Sequence, residues 1–258
     1  MKKPKVLILD IETAPLVSYT WGLFDQNVAL NQIVEDWSIL SYAAKWLDEK
    51  KVFYADQRGA KNVRNDKELL KGIWKLMDEA DIILGQNSNS FDIKKLNARF
   101  LLNGMKPPSS YKKVDTMRIA KKHFAMTSNK LEYMADKLCT HKKLKHKQFG
   151  GFDLWKECLA GNKKAWKQME LYNIHDVLAT EELYRKLQPW DNSINYNLYT
   201  DLKSTICSCG NKTFNKNGYA YTSAGKFQRY SCAKCGAETR TKSNLFSKAK
   251  RKSLRPKV

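Results

Sequence analysis

Val6-Leu7-Ile8-Leu9-Asp10-Ile11-Glu12-Thr13 is an apolar run that closes on two carboxylates. Its unbroken apolar middle predicts a strand over Lys5–Asp10 near the centre of a sheet, since a strand covered on both faces has no need to alternate. Asp10 and Glu12 are two apart, so in a regular strand they share a face. Like charges side by side are costly unless a cation or proton lies between them. On these two residues alone, a hydrated strand end without chemistry is an equal reading.

Working outward, Ile39–Trp46 and Lys51–Ala55 read as the next strands, with Asp48-Glu49-Lys50 as the turn between them. Asp66–Glu79 carries Leu69, Leu70, Ile73, Trp74 and Met77 at helical spacing, and Asn65 or Asp66 can cap it. The apolar Asp81–Leu84 leads into the turn Gly85-Gln86-Asn87-Ser88-Asn89-Ser90-Phe91-Asp92, and a helix from Asp92 to about Asn103 follows. Tyr111–Thr116 reads as a further strand. Helical patterns then accumulate over Met117–Phe124, Lys130–Cys139, Asp153–Leu159 and Lys163–Leu187. Strands first and helices later predict an α/β fold, a mixed sheet flanked by helices.

The chain of 258 residues, 42% hydrophobic, has room for one α/β domain and a small appendage. The expected division is a globular domain over 1–190, a linker over 191–202, a cysteine module over 203–240 and a basic disordered tail over 241–258. No apolar stretch is long enough to span a bilayer. The run behind Met1-Lys2-Lys3-Pro4-Lys5 breaks on Asp10 too soon for a secretory segment, so a cytosolic protein with no membrane partner is expected.

The formal charge is +21 and unevenly spread: residues 203–258 hold 14 Lys and Arg against Glu238 alone. A basic tail on a moderately basic body is the footprint of a polyanion binder, with nucleic acid the default. A solvated tail that only aids solubility is the plainer reading. Thr140–Gly151, with His141, Lys142, Lys143, Lys145, His146 and Lys147, reads as an exposed basic loop.

Two further carboxylates complete a pattern. Asp92 opens a helical segment and could simply cap it, while Asn87 and Asn89 could be turn formers. Tyr172 and Asp176 in Tyr172-Asn173-Ile174-His175-Asp176 are four apart and share a helix face. His175 turns away from that face and is read as a packing or surface residue. Separate elements that each deliver a carboxylate fit a cage for hard divalent cations such as magnesium or manganese.

In this order the motifs resemble the DEDD superfamily of 3′–5′ exonucleases. Asp10-Ile11-Glu12 is similar to the family's Asp-x-Glu, and Asn87-Ser88-Asn89-Ser90-Phe91-Asp92 to the Asn-x-x-x-Phe-Asp of family B DNA polymerase proofreading domains. Tyr172 to Asp176 resembles the Tyr-x-x-x-Asp of the tyrosine subclass. The histidine subclass would want His where Leu171 stands. Lys130–Leu138 looks like the helix before the third motif, and the resemblance covers about residues 5–187.

The resemblance implies a ribonuclease H-like fold, a single-stranded 3′ end of DNA or RNA as substrate, and nucleoside monophosphates as products. It also implies two Mg2+ or Mn2+ ions, with Asp10 bridging them, Glu12 and Asp176 on the ion holding the attacking water, and Asp92 serving the second. Tyr172 would orient that water, because a phenol of pKa near 10 is a poor base at neutral pH. Asn87, Lys142, Lys143, Lys145, Lys226 and Arg229 are the candidate nucleic-acid contacts. Partners such as replication or repair proteins are not legible in the residues. A silent nuclease fold that only binds nucleic acid, or an endonuclease using the same metals, are the rival readings.

Cys207, Cys209, Cys232 and Cys235 read as Cys-x-Cys and Cys-x-x-Cys, with glycines behind each half. In a reducing compartment this favours a structural Zn2+ over disulfides. Phe214, Tyr219, Tyr221, Phe227 and Tyr230 lie between the halves, in a hairpin too small for its own core. The module looks like a zinc ribbon, with its aromatics read mostly as a mini-core. Cys139 and Cys158, isolated in helical patterns, read as small core residues.

Overall fold

The computed structural model describes residues 3–142, 148–201 and 204–255, so Lys143 and Lys145 lie outside the described residues. The chain divides into two compact units, Pro4–Tyr184 and the residues from Arg185 onward. In order, the first unit holds β1 (Val6–Thr13), β2 (Val17–Ser18), β3 (Ile33–Glu35), β4 (Ile39–Trp46), β5 (Val52–Asp56), α1 (Lys67–Asp78), β6 (Ile82–Gly85) and α2 (Asp92–Leu102). There follow β7 (Lys112–Asp115), α3 (Thr116–His123), α4 (Leu131–Leu138), α5 (Asp153–Leu159) and α6 (Lys163–Leu187), the last running just past the division.

Five strands form one sheet in the order β5-β4-β1-β6-β7. β1 pairs antiparallel with β4 and parallel with β6, which pairs parallel with β7. The apolar run of β1 is therefore central, as its lack of alternation requires. The strand does not stop at Asp10. β4 stays opposite it, with Asp10 across from Ala43 and Glu12 across from Ser41. Glu12 thus stands in the ladder and not in a loop.

The pleat decides the rest. Leu7, Leu9 and Ile11 join one core with Leu70, Ile73 and Met77 of α1 and Ile93, Leu96 and Phe100 of α2. Each such buried aliphatic side chain contributes about 1.5–3 kcal/mol. That anchors a strand whose other face carries two carboxylates. On that other face Ser41 and Lys45 of β4 bond Asn173 and Glu181 of α6. A second cluster joins Leu40 and Ala14 to Leu154 and Cys158 of α5 and Trp166 and Met169 of α6.

Asp66 corrects an expectation. Its side chain makes no cap bond to α1. Instead it is fully buried, chelated by Arg99 through two 2.8 Å bonds, and accepts the Ile39 N–H at 2.9 Å. Asn65 bonds the Lys67 N–H at 3.3 Å in its place. The short pair β2 and β3 is too brief to leave a periodic trace. It carries an arm with Tyr19, Trp21 and Phe24 76–97% exposed, and Arg64 ties both feet by bonding the carbonyls of Pro15 and Asp36.

The second unit contains β8 (Phe214–Thr222), β9 (Gly225–Cys232) and β10 (Glu238–Arg240), a sheet in the order β10-β9-β8, and α7 (Lys248–Ser253). Two expectations change here. The stretch read as a linker packs on the cysteine module: the Asn197 amide bonds the backbone N–H and C=O of Ile206 at 2.6 and 2.9 Å. The stretch read as a disordered tail continues the sheet region, with Thr241 and Leu245 N–H groups bonding Gln228 and Lys226 carbonyls, and then forms α7, capped by Ser247. Among the described residues no helix is long and apolar enough to cross a membrane.

Candidate active site

Four elements bring the candidate side chains together. β1 presents Asp10 and Glu12 on the face that α6 covers. The Asn173 amide of α6 donates to the Asp10 carboxylate at 2.5 Å and to the Asp10 carbonyl at 3.2 Å. Because Asn173 is adjacent to Tyr172 and three residues before Asp176, this bond carries the whole Tyr172–Asp176 turn to β1. From α5, the Trp155 indole N–H donates to Glu12 at 3.1 Å. The Trp155 ring also meets Tyr172 edge-on, with centroids 6.2 Å apart.

Asp92 arrives from the other side of β1. It is not the N-cap of α2; Phe91 occupies that position without a side-chain bond. The Asp92 carboxylate accepts the Ile11 N–H at 3.0 Å, so it is joined to the backbone between Asp10 and Glu12. Asp92, Tyr172 and Asp176 are all buried. Burial pushes the Asp92 carboxyl up, the charges of Asp115 and Asp176 push it further, the Ile11 N–H pulls it back, and it rests at about 7. A buried carboxyl raised by like charges marks an oxygen-rich, electronegative site whose repulsion a divalent cation relieves. The oxygen donors of Asp10, Glu12, Asp92 and Asp176 are of the kind that magnesium or manganese takes.

The turn that delivers Asp92 is built around Asp115. This buried carboxylate accepts the N–H groups of Asn87 (3.0 Å) and Asn89 (3.2 Å), and it caps α3 through Met117 (3.0 Å) and Arg118. Asn87 sits in the left-handed region at φ 61°, which its short amide tolerates better than most side chains. Gly85 is needed too: a Cβ there would lie 2.5 Å from the Ser88 Cβ and 3.1 Å from the Leu9 carbonyl. Asp115 and Asn173 are the residues that reading the sequence left out. Asn173 lies inside a quoted motif and Asp115 near the end of the strand read over Tyr111–Thr116, but only the fold shows what each touches.

The remaining described candidates each have a partner of their own. The Lys142 ammonium turns back onto the carbonyls of Ala135 and Asp136 at the end of α4. Lys226 lies 3.9 Å over the Tyr219 ring, and the Arg229 guanidinium donates to the Asn217 carbonyl at 2.7 Å.

The four cysteines do converge. Cys207 and Cys235 sulfurs are 3.5 Å apart, Cys209 and Cys232 sulfurs 3.7 Å, and all four lie within 4.8 Å of one another. A tetrahedral zinc with bonds of about 2.3 Å sets its sulfurs roughly 3.8 Å apart, so the quartet fits that ion despite the tight Cys-x-Cys. Burial pushes the Cys207 and Cys235 thiols up. Against the same push, N–H groups of Cys235 and Lys234 and the Asn211 amide draw Cys232 down to about 6, already favouring a thiolate ligand. Cys139 and Cys158 are both buried.

A central strand with an antiparallel neighbour on one side, a parallel neighbour on the other and carboxylates at its end defines a ribonuclease H-like α/β protein, here followed in the chain by a small cysteine module. The family model described as the RNase_H superfamily matches residues 7–188, and the chain belongs to that superfamily. Among solved structures it is similar to the family B DNA polymerase from the hyperthermophilic archaeon Pyrobaculum calidifontis, with 18% identity and a TM-score of 0.51. The match covers 73% of this chain and 25% of the polymerase chain, so the likeness is one of fold. No curated protein sequence matches the chain.

Proposed function

We propose that this protein is a divalent-metal-dependent 3′–5′ exonuclease acting on single-stranded ends of DNA or RNA. One observation carries the reading: the Ile11 N–H bond to Asp92 and the Asn173 bond to Asp10 draw three sequence-distant motifs onto one strand end. Asp10, Glu12, Asp92 and Asp176 would hold two Mg2+ or Mn2+ ions. When bound, such ions supply water activation and charge relief at the leaving oxygen of a phosphodiester.

The chain's own groups divide the remaining work. Asn173 fixes the Asp10 carboxylate, and Trp155 fixes Glu12. Tyr172, held edge-on by Trp155, orients the attacking water through its hydroxyl. The 3′–5′ polarity, the monophosphate products and the tyrosine subclass rest on the motif resemblance. The four cysteines would hold a structural zinc, making the second unit a zinc-ribbon-like grip for substrate, with Lys226 and Arg229 among its contacts. Asn87, Lys142, Lys143 and Lys145 would contact the strand near the first unit.

The deciding experiment is a product ladder from 5′-labelled single-stranded DNA and RNA, with magnesium, with manganese, or with neither. Stepwise shortening that needs added metal and stalls on a blocked 3′ end is expected. Cleavage inside a blocked strand would make it an endonuclease. Tight binding without cleavage would make it a silent nuclease fold.

A further inference from the structure

The second unit contains a groove of about 1100 Å³ between residues 189–198 and the cysteine-bearing sheet. Phe214 and Tyr230 line its sheet side, Trp190 lines the opposite wall, and Arg240 and Lys242 complete the lining. The pairing register explains the aromatic floor. Phe214 stands across from Cys232, which is two residues beyond Tyr230, so all three share one face. The rings stay partly open to solvent: Phe214 and Tyr230 are half-buried and Trp190 is 51% exposed.

The chemistry of this lining selects an occupant. Rings accessible from solvent accept flat, unpaired bases, each stack contributing about 1–3 kcal/mol. Lys242 is the basic residue of the lining left for phosphates, because the Arg240 guanidinium lies 3.9 Å over the Phe227 ring, on the sheet face that Arg229 shares and Tyr230 does not. Asp191 and Glu238 also line the groove, and they repel phosphates from their own positions. The surrounding chain overrides them: residues 203–258 carry 14 Lys and Arg against Glu238 alone. A polyanion with exposed flat rings satisfies both demands, and single-stranded nucleic acid is that polyanion. A duplex does not, because its bases are already stacked and paired.

We propose that this groove is a binding site for a few consecutive unpaired nucleotides, their bases against Trp190 and Tyr230 and their phosphates against Lys242. For the class of ligand the assignment rests on the nuclease reading; it adds a second hold on the strand, formed by the second unit alone.

The test uses the full chain carrying Asp10→Ala, zinc-loaded and without magnesium, so that binding is read apart from cleavage. Fluorescein-labelled dT12 and U12 are titrated by anisotropy. Trp190→Ala should weaken binding about tenfold and Trp190→Phe by no more than about twofold. Lys242→Ala should lower the salt slope by about one. Zinc content shows whether each variant keeps its fold. Independently of any groove variant, a 5-iodouridine 12-mer irradiated on the same protein should crosslink to Trp190, Phe214 or Tyr230. Unchanged affinity in zinc-loaded Trp190→Ala, or crosslinks confined to other aromatics, would overturn the proposal. Cleavage without a Trp190 effect removes the groove and spares the nuclease; binding at the groove without cleavage by the unsubstituted chain does the reverse.

Discussion

Asn173 holds Asp10 by two atoms at once, its amide nitrogen 2.5 Å from the carboxylate and 3.2 Å from the main-chain carbonyl. The Ser41 hydroxyl donates to the other end of the same amide at 3.0 Å, which fixes its orientation. A carboxylate positioned this way is presented in one rotamer, which is what a bridging ligand needs. Asn173→Ala should lower turnover or metal affinity about 10–100-fold while the protein stays folded, as losses of supporting groups behind metal ligands do. Ser41→Ala should be milder. Steady-state kinetics over a magnesium titration would check both, and an active Asn173→Ala would remove the residue from the site.

Asp10→Ala should abolish turnover, whereas Tyr172→Phe should slow it and keep metal binding. The contrast follows from the proposed roles, one a ligand and the other an orienting hydroxyl on a ring that Phe preserves. A nuclease assay paired with manganese titration separates them. Equal and mild losses would contradict the assignment.

Asp92 is a buried carboxylate among like charges, raised by burial and by Asp115 and Asp176. Without added magnesium or manganese, Asp92→Asn should therefore be more stable than the unsubstituted chain at pH 8, by about 2–4 °C in Tm for each kcal/mol of repulsion removed. The amide still accepts the Ile11 N–H. Added metal should narrow the gap by stabilising only the unsubstituted protein. Thermal melts of the two proteins, with and without magnesium, give the answer.

Glu182 gives the pH dependence a sign. Burial pushes its carboxyl up, but the N–H groups of His141 and Thr140 outweigh that and hold it at about 2. A depressed carboxylate contributes stability above its ordinary range near 4.5 and loses it as pH falls toward 2. The stability advantage over Glu182→Gln should thus be full at pH 6 and nearly gone at pH 2. Chemical denaturation across that range measures it.

The cysteine quartet should carry one zinc per chain. Cys232→Ser should lose it and remove hydrogen-exchange protection from β8 and β9, because a sheet this small has little core to fold on without the metal. Protection of β1 and β4 should be unchanged. Retained zinc in the Ser variant would contradict the four-sulfur site.

Local chemistry made much of this protein legible from residues alone. An apolar run without alternation announced the central strand, helical periodicity marked α1 and α6, and cysteine spacing marked the quartet. Tertiary structure decided what each carboxylate is used for. Asp66, Asp92 and Asp115 all stand at helix starts in sequence. Packing gives the first to Arg99 and the second to the backbone of β1, while the third caps α3 and holds the turn at Asn87 as well. Capping is a contact between chain neighbours, so sequence can propose it for all three. Which one instead reaches a strand eighty residues away depends on how sheet and helices stack, and no local pattern encodes that distance.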